Sequence, residues 1–296
     1  MRAARVILGA VCALAALAAA GVVVAAAAQG GSAPGRSLLI ACPAPALGGT
    51  LPAEVYLPAG YAAKGRRYPV VYFLHGLPAS PQSFTQNAFI AAALVRAHQR
   101  AIVVAPQGAR TSDSDREYLD WSASEDWPLA ISDQLTACVD SRFHTVAGRS
   151  GRALIGLSAG GYGAFNIGLR NLRNFGAVES WSGYFVATDP SGDQVLKLGS
   201  AGEQRAAAVL QGAALAKQLG RWPSLVAFYV GHADDRFADM NTAFDASLRA
   251  SHIAHVFRSY PGGHSYSLWQ SQAPAWLTMA LTYLSTGHTV PVRGNG

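Results

Sequence analysis

The stretch GLSAGGYGAF, residues 156–165, sets Ser158 between Gly156 and Gly160 directly after the apolar run Ala153-Leu154-Ile155. A short apolar run that ends in G-x-S-x-G and opens into a helical segment describes a sharp strand-to-helix turn, one that lifts a serine hydroxyl above the end of a sheet. In a chain with 31 glycines the pattern alone carries little weight. The glycines that follow carry more, because Gly160, Gly161 and Gly163 crowd the first turns of the predicted helix. Each glycine inside a helix is about 0.5–1 kcal/mol less favourable than alanine. Close approach of the strand and helix backbones beneath a tight turn is a physical reason for that choice.

Outward from this turn, eight apolar runs read as strands: SLLIAC (37–42), LPAEVYLP (51–58), YPVVYFLHG (68–76), AIVVAPQG (101–108), RALIGLS (152–158), FGAVESWSG (175–183), SLVAFYVGHAD (224–234) and AHVFRSYPGG (254–263). Helical patterns lie between most of the later ones, at 82–98, 128–143, 160–172, 240–252 and 267–284. Strands alternating with helices predict an α/β fold: a mostly parallel central sheet with helices on both faces, since parallel neighbours need crossover connections. The first two strands, joined by PAPALGGT (43–50), suit an antiparallel edge. Two longer segments interrupt the alternation. Residues 107–127 are polar and turn-rich, and residues 185–222 carry an Ala-rich helical stretch, GEQRAAAVLQGAALAKQL. Both are expected to wall the pocket over the sheet.

A serine hydroxyl becomes a useful nucleophile when an imidazole takes its proton and a carboxylate holds that imidazole in the right tautomer. When the serine sits on such a turn, the chain order is Ser, acid, His. Among the histidines after Ser158, His264 in YPGGHSYSLW occupies a Gly-rich loop between the last strand and the last helix. His252 and His255 fall at the opposite end of that strand, His288 in the tail, and His232 in the acid loop. The acid comes from FYVGHADDRF, where Asp234 and Asp235 both stand at a strand end; one should face inward and the other solvent, with Asp234 the first choice. Two backbone N–H groups are needed for a developing oxyanion. They are read as those of Ala159, after the serine, and of Leu77, in the loop FLHGLPASPQSF after the third strand. His75 reads as a strand-end structural histidine, and Trp269, five residues after His264, as a wall of the substrate pocket or a core aromatic.

With those residues in place, the chain resembles the esterase D family of α/β-hydrolases, which includes S-formylglutathione hydrolases, feruloyl-type esterases and secreted mycolyltransferases. The likeness runs from about Cys42 to Leu284 through PAPALGGTLPAEVYLPAGY, YPVVYFLHGL, GLSAGGYGAF, WSGYF, YVGHADD and PGGHSYSLW, in the family's order. It implies the α/β-hydrolase fold, with Ser158, Asp234 and His264 as catalytic residues and Leu77 and Ala159 as oxyanion donors. The family acid lies three residues after the strand-end glycine, here Gly231, which selects Asp234. The signal-like N-terminus and the first segment are most similar to the mycolyltransferase branch. Where that branch has Asp-Gly-Leu-Arg, with charged groups that bind trehalose, this chain has His75-Gly76-Leu77-Pro78. The departure turns the expectation toward a general secreted carboxylesterase.

The N-terminus pairs Arg2 and Arg5 with an uncharged run, Val6–Ala28, of 23 residues ending in Ala26-Ala27-Ala28. That is the order of an export signal, and the run is also long enough to stay as an anchor. The expected organisation is therefore a signal peptide or N-terminal anchor at 1–28, a linker at 29–37, one catalytic domain at 38–285 and a tail at 286–296. The globular part is expected outside the cytoplasm, secreted or attached to the cell envelope, with membrane contact only through an uncleaved N-terminal anchor. Cys42 and Cys138, the two cysteines beyond the signal, are expected to pair in an oxidising compartment or to pack as separate thiols.

Formal charge is +6, but the basic residues are scattered and no basic stripe interleaves with aromatics, so no nucleic-acid partner is expected. No H-E-x-x-H, no Cys/His cluster and no P-loop lysine is present, so no metal and no cofactor is expected. The sequence thus points to an exported serine esterase acting on a small-molecule ester or acyl-sugar. Two alternatives stand beside it: an acyltransferase moving an acyl chain to a sugar hydroxyl, and a non-catalytic cell-envelope binding protein.

Overall fold

The computed structural model describes residues 35–287 apart from 63, 86, 111–117 and 189–193. The expected signal or anchor at 1–28, the linker up to residue 34 and the tail from residue 288 lie outside the described residues.

Eight strands form one sheet: β1 (Arg36–Ala44), β2 (Gly49–Leu57), β3 (Val70–Leu74), β4 (Ile102–Pro106), β5 (Arg152–Leu157), β6 (Ala177–Trp181), β7 (Leu225–Gly231) and β8 (Val256–Tyr260). Their order across the sheet is β1-β2-β4-β3-β5-β6-β7-β8. β1 and β2 run antiparallel, and β2 runs antiparallel to β4, whereas every pairing from β4 through β8 is parallel. All eight expected strands are present, and the antiparallel pair stands at one edge.

Alternation along the strands explains the two-sided core. On β3, Tyr72 and Leu74 join Leu154, Val178 and Phe228 on one face, under α4 (Ala159–Gly168) and α7 (Ala238–Ala250). Val71 and Phe73 join Ile155, Trp181 and Tyr229 on the other, under α1 (Ala88–Arg96) and α8 (Tyr266–Thr286). A fully buried Val, Leu or Phe contributes about 1.5–3 kcal/mol relative to exposure. A one-residue slip of β3 would move both sets to the wrong face at once, which pins the register.

Helical starts follow local chemistry. Asp126 Oδ1 accepts the Leu129 N–H at 2.8 Å before α2 (Trp127–Leu129), which continues through a π-helical segment, Ala130–Leu135, into α3 (Thr136–Arg142). The Ala-rich stretch of the insert is not one helix. α5 (Ala201–Ala207) and α6 (Gly212–Arg221) are separated by extended backbone at Ala208, and the Val209 N–H donates to the Phe185 carbonyl at 2.9 Å. A disulfide joins Cys42 of β1 to Cys138 of α3. Among the described residues, no helix is long and apolar enough to cross a membrane.

The strand order reverses at the β3–β5 pair. The chain leaves β3 for β4 on one side and builds β6, β7 and β8 on the other. Loops leaving the C-terminal ends of β3 and β5 therefore diverge, and the crevice between them is where a doubly wound sheet binds ligands. Gly76 follows one strand and Ser158 the other.

Candidate active site

Ser158 stands between β5 and α4 with φ 56° and ψ −121°, a left-handed φ that a side chain rarely adopts. Its backbone is over-determined. The Ser158 N–H donates to the Trp181 carbonyl on β6 at 2.8 Å, and the Ser158 carbonyl accepts the Tyr162 N–H at 3.0 Å. Residues held in such regions cost on the order of 1–3 kcal/mol and persist where their surroundings fix them. The flanking glycines supply room. A Cβ on Gly160 would strike the Leu74 carbonyl, and one on Gly156 would strike the carbonyl of Gly160. The Ser158 hydroxyl makes no cap bond to its own helix and instead lies 3.0 Å from His264 Nε2.

Asp234 follows β7 in a turn closed by its own N–H on the Gly231 carbonyl at 3.0 Å. That turn directs the carboxylate inward. Asp234 is 1% exposed, and Oδ1 accepts the N–H groups of Arg236 at 3.3 Å and Phe237 at 3.2 Å. Oδ2 lies 2.8 Å from His264 Nδ1. Asp235 faces solvent, so the inward member of the pair is Asp234.

His264 sits in the loop between β8 and α8, where Gly262 has φ 122°. Its ring is packed at 5.3 Å from Phe237 and at 4.9 Å from Trp269, both steeply tilted. Trp269 is itself fixed, because its indole N–H donates to Ser182 Oγ at 2.9 Å. With Nδ1–H donated to the Asp234 carboxylate, Nε2 presents its lone pair to the Ser158 hydroxyl, the tautomer a general base requires. The chain brings Ser158, His264 and Asp234 into one hydrogen-bonded line from the ends of β5, β8 and β7.

Leu77 and Ala159 flank the same point. Ala159 is the first residue of α4, and Leu77 lies in the loop after β3, beside Ser158 in the cleft lining. A Cβ on Gly76 would lie 3.0 Å from Ser158 Cβ, so the two loops are in contact. Among the described residues, neither the Leu77 nor the Ala159 N–H donates to a loop or turn carbonyl. His75 is 5% exposed and takes no part in the Ser158–His264 bond, its ring bonded to Gly76 and Gly108.

The cleft over Ser158 measures about 530 Å³. Leu77, Pro78, Ala79, Phe89, Tyr266 and Trp269 give it apolar walls, and Arg236 stands among its lining residues. Among the described residues, none of 107–127 or 185–222 lines this cleft, and residues 111–117 and 189–193 of those segments lie outside the described residues. Described residues of 107–127 and 185–222 line another cleft, of about 430 Å³, through Leu119, Trp121, Leu198 and Glu203 against Asn166 of α4 and Arg170 just past its end. The reason is aromatic anchoring. Tyr118 packs where Gly163 leaves space, and the Tyr162 hydroxyl donates to the Ala207 carbonyl, so both segments are drawn onto the outer face of α4. The described walls come from the loop after β3, from Asn87 and Phe89 at the start of α1, and from Tyr266 and Trp269 of α8. Ser182 and Phe237, which brace His264, were not singled out in the sequence; a small polar residue just past the end of β6 was the available signal for Ser182.

A family model described as a putative esterase matches residues 44–278. The chain belongs to the putative esterase family. Curated relatives of this esterase include Esterase Rv1288 of Mycobacterium tuberculosis strain H37Rv and Esterase MT1326 of M. tuberculosis strain CDC 1551. Each is 30% identical over 130 residues, covering 44% of this chain and 28% of theirs. The match thus spans less than a third of the length of those relatives. Solved structures with the same fold include a ferulic acid esterase, with TM-score 0.68 and 20% identity over 84% of this chain and 98% of that one. An S-formylglutathione hydrolase from Agrobacterium tumefaciens gives TM-score 0.67 and 19% identity over 84% and 96%. The fold of this esterase is accordingly that of the α/β-hydrolases.

Proposed function

We propose that this protein is an exported serine esterase that cleaves small carboxylic esters through an acyl-enzyme. The observation that carries the reading is the line Ser158 Oγ to His264 Nε2 at 3.0 Å and His264 Nδ1 to Asp234 Oδ2 at 2.8 Å. His264 Nε2 takes the Ser158 proton as Oγ attacks the ester carbonyl carbon, and Asp234 stabilises the imidazolium that forms. The carbonyl oxygen becomes an oxyanion facing the Leu77 and Ala159 N–H groups. Collapse of the tetrahedral intermediate breaks the bond to the alcohol oxygen, which leaves with the proton from His264. Water then attacks the acyl-Ser158 ester with His264 again as base, releasing the acid and restoring the hydroxyl.

The apolar walls fit an apolar or aromatic acyl or alcohol group, and no charged side chain stands at 75–78 beside neutral His75 to hold a sugar acceptor in place of water. With the charges at 75–78 missing and Arg236 the charged side chain among the described lining residues other than the histidines, hydrolysis is the first reading and acyl transfer the second. A related solved structure, FphF from Staphylococcus aureus, with TM-score 0.64 and 18% identity over 85% of this chain and 98% of that one, is described as a fluorophosphonate-binding serine hydrolase. Export is supported by the Cys42–Cys138 disulfide, a bond that persists in oxidising compartments, together with the signal-like N-terminus.

The test is fluorophosphonate labelling of wild type beside Ser158→Ala, with short- and long-chain nitrophenyl esters assayed in parallel. Labelling and turnover that both vanish in the variant are expected. A wild type that neither labels nor turns over any ester overturns the reading in favour of a binding protein, and acyl-sugar formation with an added sugar moves it to acyl transfer.

A further inference from the structure

We propose that His75 is a positioning residue that aims the Leu77 N–H at the oxyanion, an inference that rests on the serine-esterase reading. The Gly76–Leu77 peptide is a rigid trans plane, so its C=O and N–H point in opposite directions. Whatever holds the carbonyl also aims the amide. The Gly76 carbonyl oxygen lies 3.0 Å from His75 Nδ1, and the other ring nitrogen, Nε2, lies 3.0 Å from the Gly108 nitrogen. A backbone N–H can only donate, so Nε2 must be the acceptor, and the ring proton is placed on Nδ1. His75 Nδ1–H therefore donates to Gly76, and the Leu77 N–H points opposite to that bond, in a loop that packs against Ser158 through Gly76.

The ring has little freedom to do otherwise. It is buried against Tyr118, whose hydroxyl donates to the His75 carbonyl at 2.8 Å. A Cβ on Gly108 would lie 2.5 Å from the Tyr118 hydroxyl and 2.7 Å from His75 Nε2, so the Gly108 N–H is within reach because residue 108 has no side chain. Burial also pushes the His75 pKa down, which keeps the ring neutral and Nε2 available as an acceptor. The clamp ties the end of β3 to the loop after β4. The His75 ring bonds to Gly76 and Gly108, whereas the proton-transfer line runs through Ser158, His264 and Asp234, so the two hydrogen-bond sets share no side chain.

The test compares His75→Leu, which removes both ring nitrogens, with His75→Asn, whose side-chain NH₂ can stand in for Nδ1–H. Each is assayed on matched oxo- and thionoesters. Sulfur is a weak hydrogen-bond acceptor, so a thionoester draws little from the oxyanion donors in the first place. For His75→Leu we expect kcat on the oxoester to fall roughly 10²-fold with KM nearly unchanged, the order seen when one oxyanion donor is lost. The thionoester should fall far less, and His75→Asn should recover much of the loss. Equal losses on both esters, or no recovery in His75→Asn, overturn the proposal. Should His75→Leu fail to fold, ¹⁵N-resolved NMR of the wild-type ring decides: a neutral Nδ1–H tautomer supports the clamp and an Nε2–H tautomer overturns it. Loss of all labelling in wild type would instead count against the serine-esterase reading itself.

Discussion

Replacing Glu179 with Gln should make the protein more resistant to unfolding at alkaline pH and change little in acid. Glu179 lies on β6 with no exposed surface, and one carboxyl oxygen accepts the Trp181 indole N–H at 2.9 Å. Burial pushes its pKa up from 4.5 to about 8, tempered by the hydrogen bond from Trp181. The folded state therefore holds this proton more tightly than the unfolded chain. The stability linked to it is fully present below the unfolded value of 4.5 and is lost as pH rises through about 8. At 1.36 kcal/mol per unit of pKa, the loss between pH 5 and pH 9 is about 4 kcal/mol. A glutamine at this position has no such proton to lose, and its amide oxygen still accepts from Trp181. Urea unfolding of wild type and Glu179→Gln at pH 5, 7 and 9 isolates the effect, because other titrations cancel in the difference. That difference should move toward the variant by several kcal/mol across the range. A difference that stays flat within about 1 kcal/mol would refute the argument that Glu179 is protonated because it is buried.

Asp234→Asn keeps the shape of the acid but takes its proton acceptor from His264 Nδ1, so kcat on nitrophenyl esters should fall about 10³–10⁴-fold with little change in thermal midpoint. Gly160→Ala places a methyl against the Leu74 carbonyl and should lower stability by about 3 kcal/mol or more, read as a lost urea transition or insoluble protein. Gly220→Ala, on α6 with nothing within 4 Å of the new methyl, should instead raise stability by about 0.5–1 kcal/mol in the same assay.

Much of the fold could be read from the chain because the strands are short apolar runs ended by turn residues, and all eight appear where those runs lie. Helix starts were harder. The helical pattern from residue 82 starts as a short 3-10 turn at Ser83–Thr85 and becomes an α-helix only at Ala88, with Ser83 Oγ accepting the Ser80 N–H at 2.9 Å in the turn before it. The insert shows tertiary contacts overriding propensity: the alanines favour one helix, yet Val209 is buried and bonded to Phe185, which breaks it between α5 and α6. At the site, Ser158 and His264 carry local signatures in glycine-rich turns, whereas the choice between Asp234 and Asp235 depends on the turn geometry after Gly231. The His75–Gly108 bond, 33 residues apart, has no local signature at all. The packing of Tyr118 against Gly163 and the bond from Tyr162 to Ala207 are likewise long-range contacts that no periodicity encodes.

The disulfide between β1 and α3 bears on what the protein becomes when reduced. β1 is the outermost strand, its Leu39 is 67% exposed, and it alone covers the outer side of β2. Were β1 to peel away, β2 would present unpaired backbone groups beside Leu51, Val55 and Leu57, all now buried. Such an open strand recruits the strands of other molecules and seeds aggregates. The covalent tether from Cys42 to Cys138 thus guards solubility more than chemistry: the Ser158 site lies several strands away, and a reduced protein would first clump and only then fail as a catalyst.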